Sequence, residues 1–403
     1  MIAAHVAHVA SLLAADPLLS GKVDLTVVLI VILKAVAAFA ILLVAVMLMV
    51  WFERKVISDM QNRIGPNRAG PFGLLQTLAD GIKLFFKEDL LPEKADRRIF
   101  RLAPYIACCT AFLAFAVIPL GGPVRLFGHD TQLQLADPPI GILFLLLVSS
   151  IAVYGIMLAG WSSGSKYPLL GSVRASAQMV SYEAAMGLSV AAVVLVSGTL
   201  STMGIVDAQA DWNWNLWRLG VVPFVVFFIA GTAEANRPPF DLVEAESELV
   251  GGFHTEYSSL RFALFFLAEF MNTITMSAIV VTLFLGGPLG PDIHLGPLHI
   301  ARMSILWFFL KLLLFLFVHV WLRATLPRFR YDQLMDLGWK RLIPLAMGWL
   351  LLIAAFRVAD SENWAPAAVA AIGLGVLALC ALLLSLAVRA GQRRVDLDPG
   401  EVS

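Results

Sequence analysis

Charge is scarce in this sequence. Only 14% of its 403 residues are Asp, Glu, Lys or Arg, against about 25% in soluble domains. The two signs cancel to a formal net charge of zero, which removes the electrostatic case for a nucleic-acid partner. Cysteine is scarcer still. Cys108, Cys109 and Cys380 all lie in apolar runs and none forms a C-x-x-C pair, so this chain alone builds no iron–sulfur cluster or zinc site. Of seven histidines only His319 falls well inside an apolar run, too few for a bis-histidine haem. A Gly-rich phosphate-cradling loop is missing, which argues against nucleotide binding. Residues 1–22 have no basic n-region of a cleavable signal peptide. The paired halves that mark many secondary transporters are not visible either, which counts against a stand-alone transporter.

Apolar sequence is abundant instead. Hydrophobic residues make up 59% of the chain and the mean hydropathy is +0.83. A bilayer-spanning helix needs roughly 20 apolar residues. Nine such runs are predicted, at 23–52, 102–120, 140–159, 176–197, 216–235, 260–285, 304–326, 342–358 and 365–388. The expected fold is therefore all-α, a polytopic membrane protein of about nine transmembrane helices. Lys and Arg are strongly biased. The loops after the first, third, fifth and seventh runs, with the C-terminal tail and the adjoining run ends at Arg261 and Arg323, carry 22 of them, and the opposite side, counted in the same way, carries five. The positive-inside rule then puts those loops and the C-terminus in the cytoplasm and the N-terminus outside. Trp212, Trp214 and Trp217 mark the outer interface.

The first cytoplasmic loop, 53–101, is the longest and most charged. After a turn-rich segment its pattern becomes helical from Pro71. Phe72, Leu75, Leu78, Ile82, Phe85 and Phe86 share one face, and Gln76, Asp80, Lys83 and Lys87 share the other. That predicts an amphipathic surface helix.

The densest chemistry lies at 234–261. Glu234, Asp241, Glu244, Glu246, Glu248 and Glu256 are opposed only by Arg237 and Arg261, between two almost uncharged runs. Crowded carboxylates raise one another's proton affinity and titrate together, which suits holding and passing protons. Two more acids lie inside apolar runs: Glu183, and Glu269 with Asn272 and Thr273 on its helical face. An ionised group there costs about 2.5–3.5 kcal/mol on insertion scales and turns toward protein or water. For each acid alone, a structural hydrogen bond is an equal reading. Two of them flanking a carboxylate-rich loop favour a proton path. Lys34, Lys311 and His319 are further ionisable groups within the runs and match no motif.

The wording of the acidic stretch is specific: Glu234-x-Asn-Arg-x-Pro-Phe-Asp-Leu-x-Glu-x-Glu-x-Glu-Leu-Val-x-Gly-Phe-His-x-Glu-Tyr-Ser258. The first loop adds Glu53-Arg54-Lys55-Val56, Arg63-x-Gly-Pro-Asn67 and Ala79-Asp80-Gly81-x-Lys83. Two further blocks are Gln178-Met-Val-Ser-Tyr-Glu183 and Arg330-Tyr-Asp-Gln-Leu-Met335. Together these closely resemble the quinone-site membrane subunit (the H subunit in bacteria) of proton-pumping NADH:quinone oxidoreductase, respiratory complex I. Gly164, where that family usually has Asn, and Pro168 depart from its pattern in what is read as a loop.

The resemblance spans roughly residues 24–358. It implies a subunit of a bacterial inner-membrane enzyme complex with quinone as substrate and no redox cofactor of its own. Flavin and iron–sulfur clusters belong to other subunits, and the subunit carrying the terminal cluster is an implied partner, as are further membrane subunits and lipid. Roles in the quinone chamber then fall to Arg54, Asp80, Lys83 and Arg237. Roles in the proton path fall to Glu183, Glu234, Glu244, Glu246, Glu248 and Glu269. The corresponding subunit of a membrane-bound hydrogenase is the alternative within the superfamily, and the length and the intact first-loop motif speak against it. Residues 1–358 form the expected eight-helix membrane domain, and 359–403 add a ninth helix and a tail.

Overall fold

The computed structural model describes Leu18, residues 24–241, 250–291, 294–295, 298–299 and 304–362, Trp364, and isolated positions between 373 and 385. These residues are overwhelmingly helical. Seven helices are long and apolar enough to cross a membrane: α1 (Leu25–Met60), α3 (Arg97–Phe115), α4 (Gly141–Ser162), α5 (Lys166–Ser197), α9 (Ser259–Phe284), α10 (Ser304–Thr325), and a composite running Tyr331–Ser361. The composite joins α11 (Tyr331–Asp336) to α12 (Ile343–Ser361) through one π-helical turn. Between α1 and α3 lies the surface helix α2 (Gln76–Phe86). Between α5 and α9 come the short α6 (Thr202–Asp207) and α7 (Asn215–Arg218), then α8 (Val221–Glu234). The all-α polytopic architecture is thus present. The expected ninth run, 365–388, lies outside the described residues except for isolated positions.

Several boundaries differ from the expectation, each for a local reason. The fifth run was read as 216–235, but its helix starts only at Val221, because Gly220 with φ 77° breaks the chain after α7. Fourteen residues rise about 21 Å, less than the ~30 Å hydrocarbon core. The run at 176–197 begins ten residues earlier than hydropathy suggests. Pro168 is not in a loop but in the first turn of α5, where a proline costs no intrahelical bond. Gly164, with φ 67°, makes the tight turn that lets α5 follow α4 directly. A β-hairpin that hydropathy did not reveal, β1 (Gly121–Leu126) with β2 (His129–Leu133), follows α3. Its two-residue turn at Phe127 and Gly128 has positive φ at both positions, the geometry hairpins favour.

α5 is the centre of the bundle. It packs on α4, α8 and α12, and its Tyr182 is fully buried with the hydroxyl donating to Leu334 O at 2.9 Å. α4 is apolar all round, and one face of it, with Leu143, Leu147, Tyr154 and Trp161, is exposed. It meets α3 at Gly155, where an added Cβ would lie 3.0 Å from Ala107 N, so small residues set the approach. α1 is the least enclosed of these spans, with Leu25, Leu29, Ile32, Val36 and Phe39 exposed along it. α9, the most enclosed helix, packs on α1, α3, α8 and α10. Gly171 lets α5 press against the 252–254 turn, where a Cβ would come 2.7 Å from Gly252 Cα. These two contacts, α9 at the centre and the 252–254 turn against α5, position the site.

Candidate functional site

The site starts from a buried arginine. Arg237 stands in the turn after α8, 6% exposed, with its guanidinium 3.8 Å over the Phe270 ring. Its Nη1 lies 3.3 Å from Glu53 of α1, and its Nε 3.1 Å from Glu269 and 3.3 Å from Thr273, both of α9. The other Glu53 carboxylate oxygen pairs with Arg323 near the end of α10. Two acids and two arginines from four segments therefore form one neutral network. Buried ions are tolerated only when partnered in this way, because each desolvated charge costs several kcal/mol alone.

A second set of acids adjoins it. Glu234 ends α8 at 4% exposure, with Ser149 of α4 in hydrogen-bonding reach. Its Oε2 has no hydrogen-bond partner among the described residues. Glu183 of α5 is hydrogen-bonded to Ser150, and its charge acts on Glu234. Two adjacent serines on one helix thus bridge two carboxyls from two others.

One acid of each set, Glu269 and Glu234, opens on a single small cleft of about 50 Å³, also lined by Asp241, His254, Asn272 and four phenylalanines among others. Asp241 is paired with Arg328 at 3.4 Å. His254 packs edge-on against Phe253 and Phe262, and burial pushes its pKa down to about 4, so it is neutral at ordinary pH. Polar groups converging on an aromatic wall are the usual form of a small-molecule site.

The residues singled out from sequence divide into four groups. Arg237, Glu234 and Glu269 meet in this cleft region, and Glu183 joins through the serines. Arg54 and Asp80 pair at 2.7 Å, with Gln76 3.3 Å from the same carboxylate, but on the half-exposed face between α1 and α2. Lys83 is exposed one turn further along α2. Glu244, Glu246 and Glu248 lie outside the described residues. α2 itself starts at Gln76, not Pro71, and leaves Leu75, Leu78, Ile82, Phe85 and Phe86 exposed. Of the intramembrane groups without a motif, Lys34 donates to Thr131 at 3.0 Å, and Lys311 donates to three carbonyls, Leu285, Gly287 and Leu289.

Sequence reasoning missed Glu53, Arg323, Ser149 and Ser150. Glu53 carried a signal: Val46, Met49, Val50 and Glu53 share one buried face of α1, so this acid points inward. Ser149 and Ser150 carried none, because hydroxyls in an apolar helix usually bond their own backbone.

Comparison with known proteins places the chain. The sequence model described as NADH dehydrogenase matches residues 33–354. A protein of Frankia alni is 55% identical over 373 residues, covering 91% of this chain and 82% of the relative. One of Frankia casuarinae is 53% identical over 387 residues, covering 94% and 84%. One of Streptomyces avermitilis is 52% identical over 363 residues, covering 88% and 79%. All three relatives are named as the H subunit of NADH-quinone oxidoreductase.

Proposed function

The chain belongs to the NADH dehydrogenase family, as an H subunit of NADH-quinone oxidoreductase, and from that premise we propose that it walls the quinone chamber and starts the proton path. The observation that carries this reading is the Glu53–Arg237–Glu269–Arg323 network, buried at Glu53 and Arg237, whose Glu269 lines the cleft that also holds Glu234.

Reducing a quinone adds two electrons, which other subunits supply, and two protons. Arg54, Asp80, Lys83 and Arg237 line the approach and chamber. A transient negative charge on the quinone is felt by Arg237, which is shared between Glu53 and Glu269. Drawing the guanidinium toward the chamber leaves Glu269 less compensated, and an under-compensated buried carboxylate takes up a proton. Glu234, with an unpartnered oxygen, Ser149 and Ser150, and then Glu183 continue the series from α9 to α5. Glu244, Glu246 and Glu248, within fifteen residues of Glu234 in sequence, couple to it as crowded carboxylates do. The loops rich in Lys and Arg face the cytoplasm, which puts the acidic segment on the side from which protons are drawn.

The test uses Glu183→Gln and Glu269→Gln in the whole complex. Gln matches Glu in shape and keeps a hydrogen bond, but carries no titratable proton. Both variants are expected to assemble and to reduce an artificial acceptor from NADH at normal rates, while losing most quinone-linked turnover and pH-gradient formation in sealed vesicles. Wild-type pumping in both would make these carboxyls helix–helix hydrogen-bond partners and end the proton-path reading.

A further inference from the structure

His319 takes no part in the mechanism above. It is 6% exposed on α10, and three helices surround its ring. Nδ1 lies 2.8 Å from Phe315 O, one turn back on α10, and 3.4 Å from Ser277 Oγ on α9. Nε2 lies 3.4 Å from Thr232 Oγ1 on α8. The Phe228 ring closes the side at 5.0 Å between centroids.

The hydrogen-bond inventory of this ring is informative. A backbone carbonyl only accepts, so Nδ1 carries a hydrogen. In the neutral ring Nε2 is then a lone pair. Thr232 Oγ1 already donates its one hydrogen to Phe228 O at 2.7 Å, and Ser277 Oγ donates to Thr273 O at 2.8 Å. The Nε2 lone pair thus faces an oxygen whose hydrogen is engaged elsewhere. Two arrangements resolve this. The Thr232 hydrogen swings from Phe228 O to Nε2, or Nε2 takes up a proton and donates it to Thr232 Oγ1. Turning one hydroxyl therefore satisfies both charge states, which an ordinary buried histidine is not given.

The ring also sits where charge in the site is felt. Glu269, Thr273 and Ser277 follow one another at intervals of four along one face of α9. Thr273 Oγ1 receives Arg237 Nε, and Ser277 touches the imidazole. Of the charged groups around it, Arg237 in the turn after α8 reaches the ring by way of Thr273, which receives its Nε and whose carbonyl holds the Ser277 hydroxyl beside the imidazole. Glu269 on α9 and Glu53 on α1 compensate Arg237, and Glu53 also holds Arg323, one turn beyond His319 on α10.

We propose that His319 is a proton-holding residue coupled to Glu269 through Arg237. This rests on the proton-path reading and extends it to a group on α10. One proton passes from a hydronium ion in water to Nε2 when the site loads and from Nε2 back to water when it unloads, so one O–H bond breaks as one N–H bond forms and the reverse. While Glu269 is ionised it offsets Arg237, and an imidazolium beside that arginine is tolerated. When Glu269 takes up a proton, Glu53 alone still offsets Arg237, the arginine repels the imidazolium more strongly, and His319 gives its proton up.

The experiment compares His319→Gln, Thr232→Val and Glu269→Gln in the whole complex, by pH-gradient formation in sealed vesicles and by quinone-linked turnover across pH. Gln keeps polar contacts in a ring-sized space but cannot hold the proton, and Val keeps the shape of Thr without the oxygen. His319→Gln is expected to lower quinone-linked pumping about a hundredfold, the lower end of what a positioned proton-transfer group contributes. It should also erase one titrating limb of the turnover profile, which a packing defect would only scale. Thr232→Val should shift that limb in the same direction. Wild-type pumping by His319→Gln, beside a Glu269→Gln that has lost it, overturns this proposal and spares the path. Wild-type pumping by Glu269→Gln overturns this proposal, and wild-type pumping by Glu183→Gln beside it overturns the path as well. Should His319→Gln fail to assemble, an unchanged profile in Thr232→Val overturns the proposal on its own.

Discussion

Polar groups are buried at both ends of this bundle, and they are held in different ways. At one end Glu53, Arg237, Glu269 and Arg323 come from four segments and pair with one another, side chain to side chain, beside a cleft, with Arg237 Nη2 left without a hydrogen-bond partner among the described residues. At the other end Asp137, 2% exposed, accepts from Ser201 Oγ at 2.7 Å and from Thr202 N at 3.2 Å, capping α6. Gln209 and Asn215 donate to the Thr282 and Leu283 carbonyls at the end of α9. Lys311 donates to three carbonyls and lies 4.8 Å from the Trp214 ring. Backbone carbonyls and amides do not titrate, so the group they hold does not feel a partner change its charge. A charge held by another ionisable side chain changes whenever its partner does. The first arrangement suits a responsive site, and the second a clamp.

Removing the centre of the responsive end should have the largest effect. Arg237→Ala leaves Glu269 and one oxygen of Glu53 buried without a cation, and breaking such a pair costs about 3–5 kcal/mol. The expected outcome is a sharp fall in assembled complex, read as subunit yield in purified membranes. Normal yield would show that water reaches Glu269 and that the network is not the keystone of this end.

The next effect separates the ends by pH. His254 has a pKa of about 4 against an ordinary 6.5. Below the ordinary value the unfolded chain takes up a proton that the folded chain refuses. Stability therefore falls as pH drops from 6.5 toward 4, then levels off, by about 3 kcal/mol at most. The thermal midpoint of the purified complex should fall between pH 7 and pH 4.5, and His254→Gln should flatten that slope. An unchanged slope in the variant would assign the acid sensitivity elsewhere.

The smallest effect belongs to the clamp. Lys311→Met leaves three carbonyls at the end of α9 without their donor, a loss of about 1–3 kcal/mol if water does not replace it. The variant should be less stable, yet pump normally per assembled complex. A loss of pumping at normal stability would erase the contrast between the ends and make Lys311 part of the path.

Much of this was open to reading along the chain. Runs of apolar residues longer than a bilayer is thick announce helices, because an unpaired backbone in hydrocarbon is too costly for any other form. The charged face of α2 and the acids at 183, 234 and 269 stood out for the same reason, as polar residues where apolar ones were due. Hydropathy misplaced the ends of α5 and α8 because it weighs side chains and not backbone torsions. Gly220 with its positive φ and Pro168 in a first turn decided those ends.

By itself the sequence determined what the chain is made to live in, how many apolar runs it has, which acids are anomalous and which family it resembles. All of these are properties of composition, period and local wording. Only the tertiary structure decided that Arg237 lies between Glu53 and Glu269, 184 and 32 residues away in sequence. It alone brought Ser149 and Ser150 between Glu234 and Glu183, and set His319 against hydroxyls from two other helices. Which buried charge meets which partner depends on how helices from distant parts of the chain pack. A Coulomb interaction in a low-dielectric interior is set by ångströms of separation, which position along the chain does not encode.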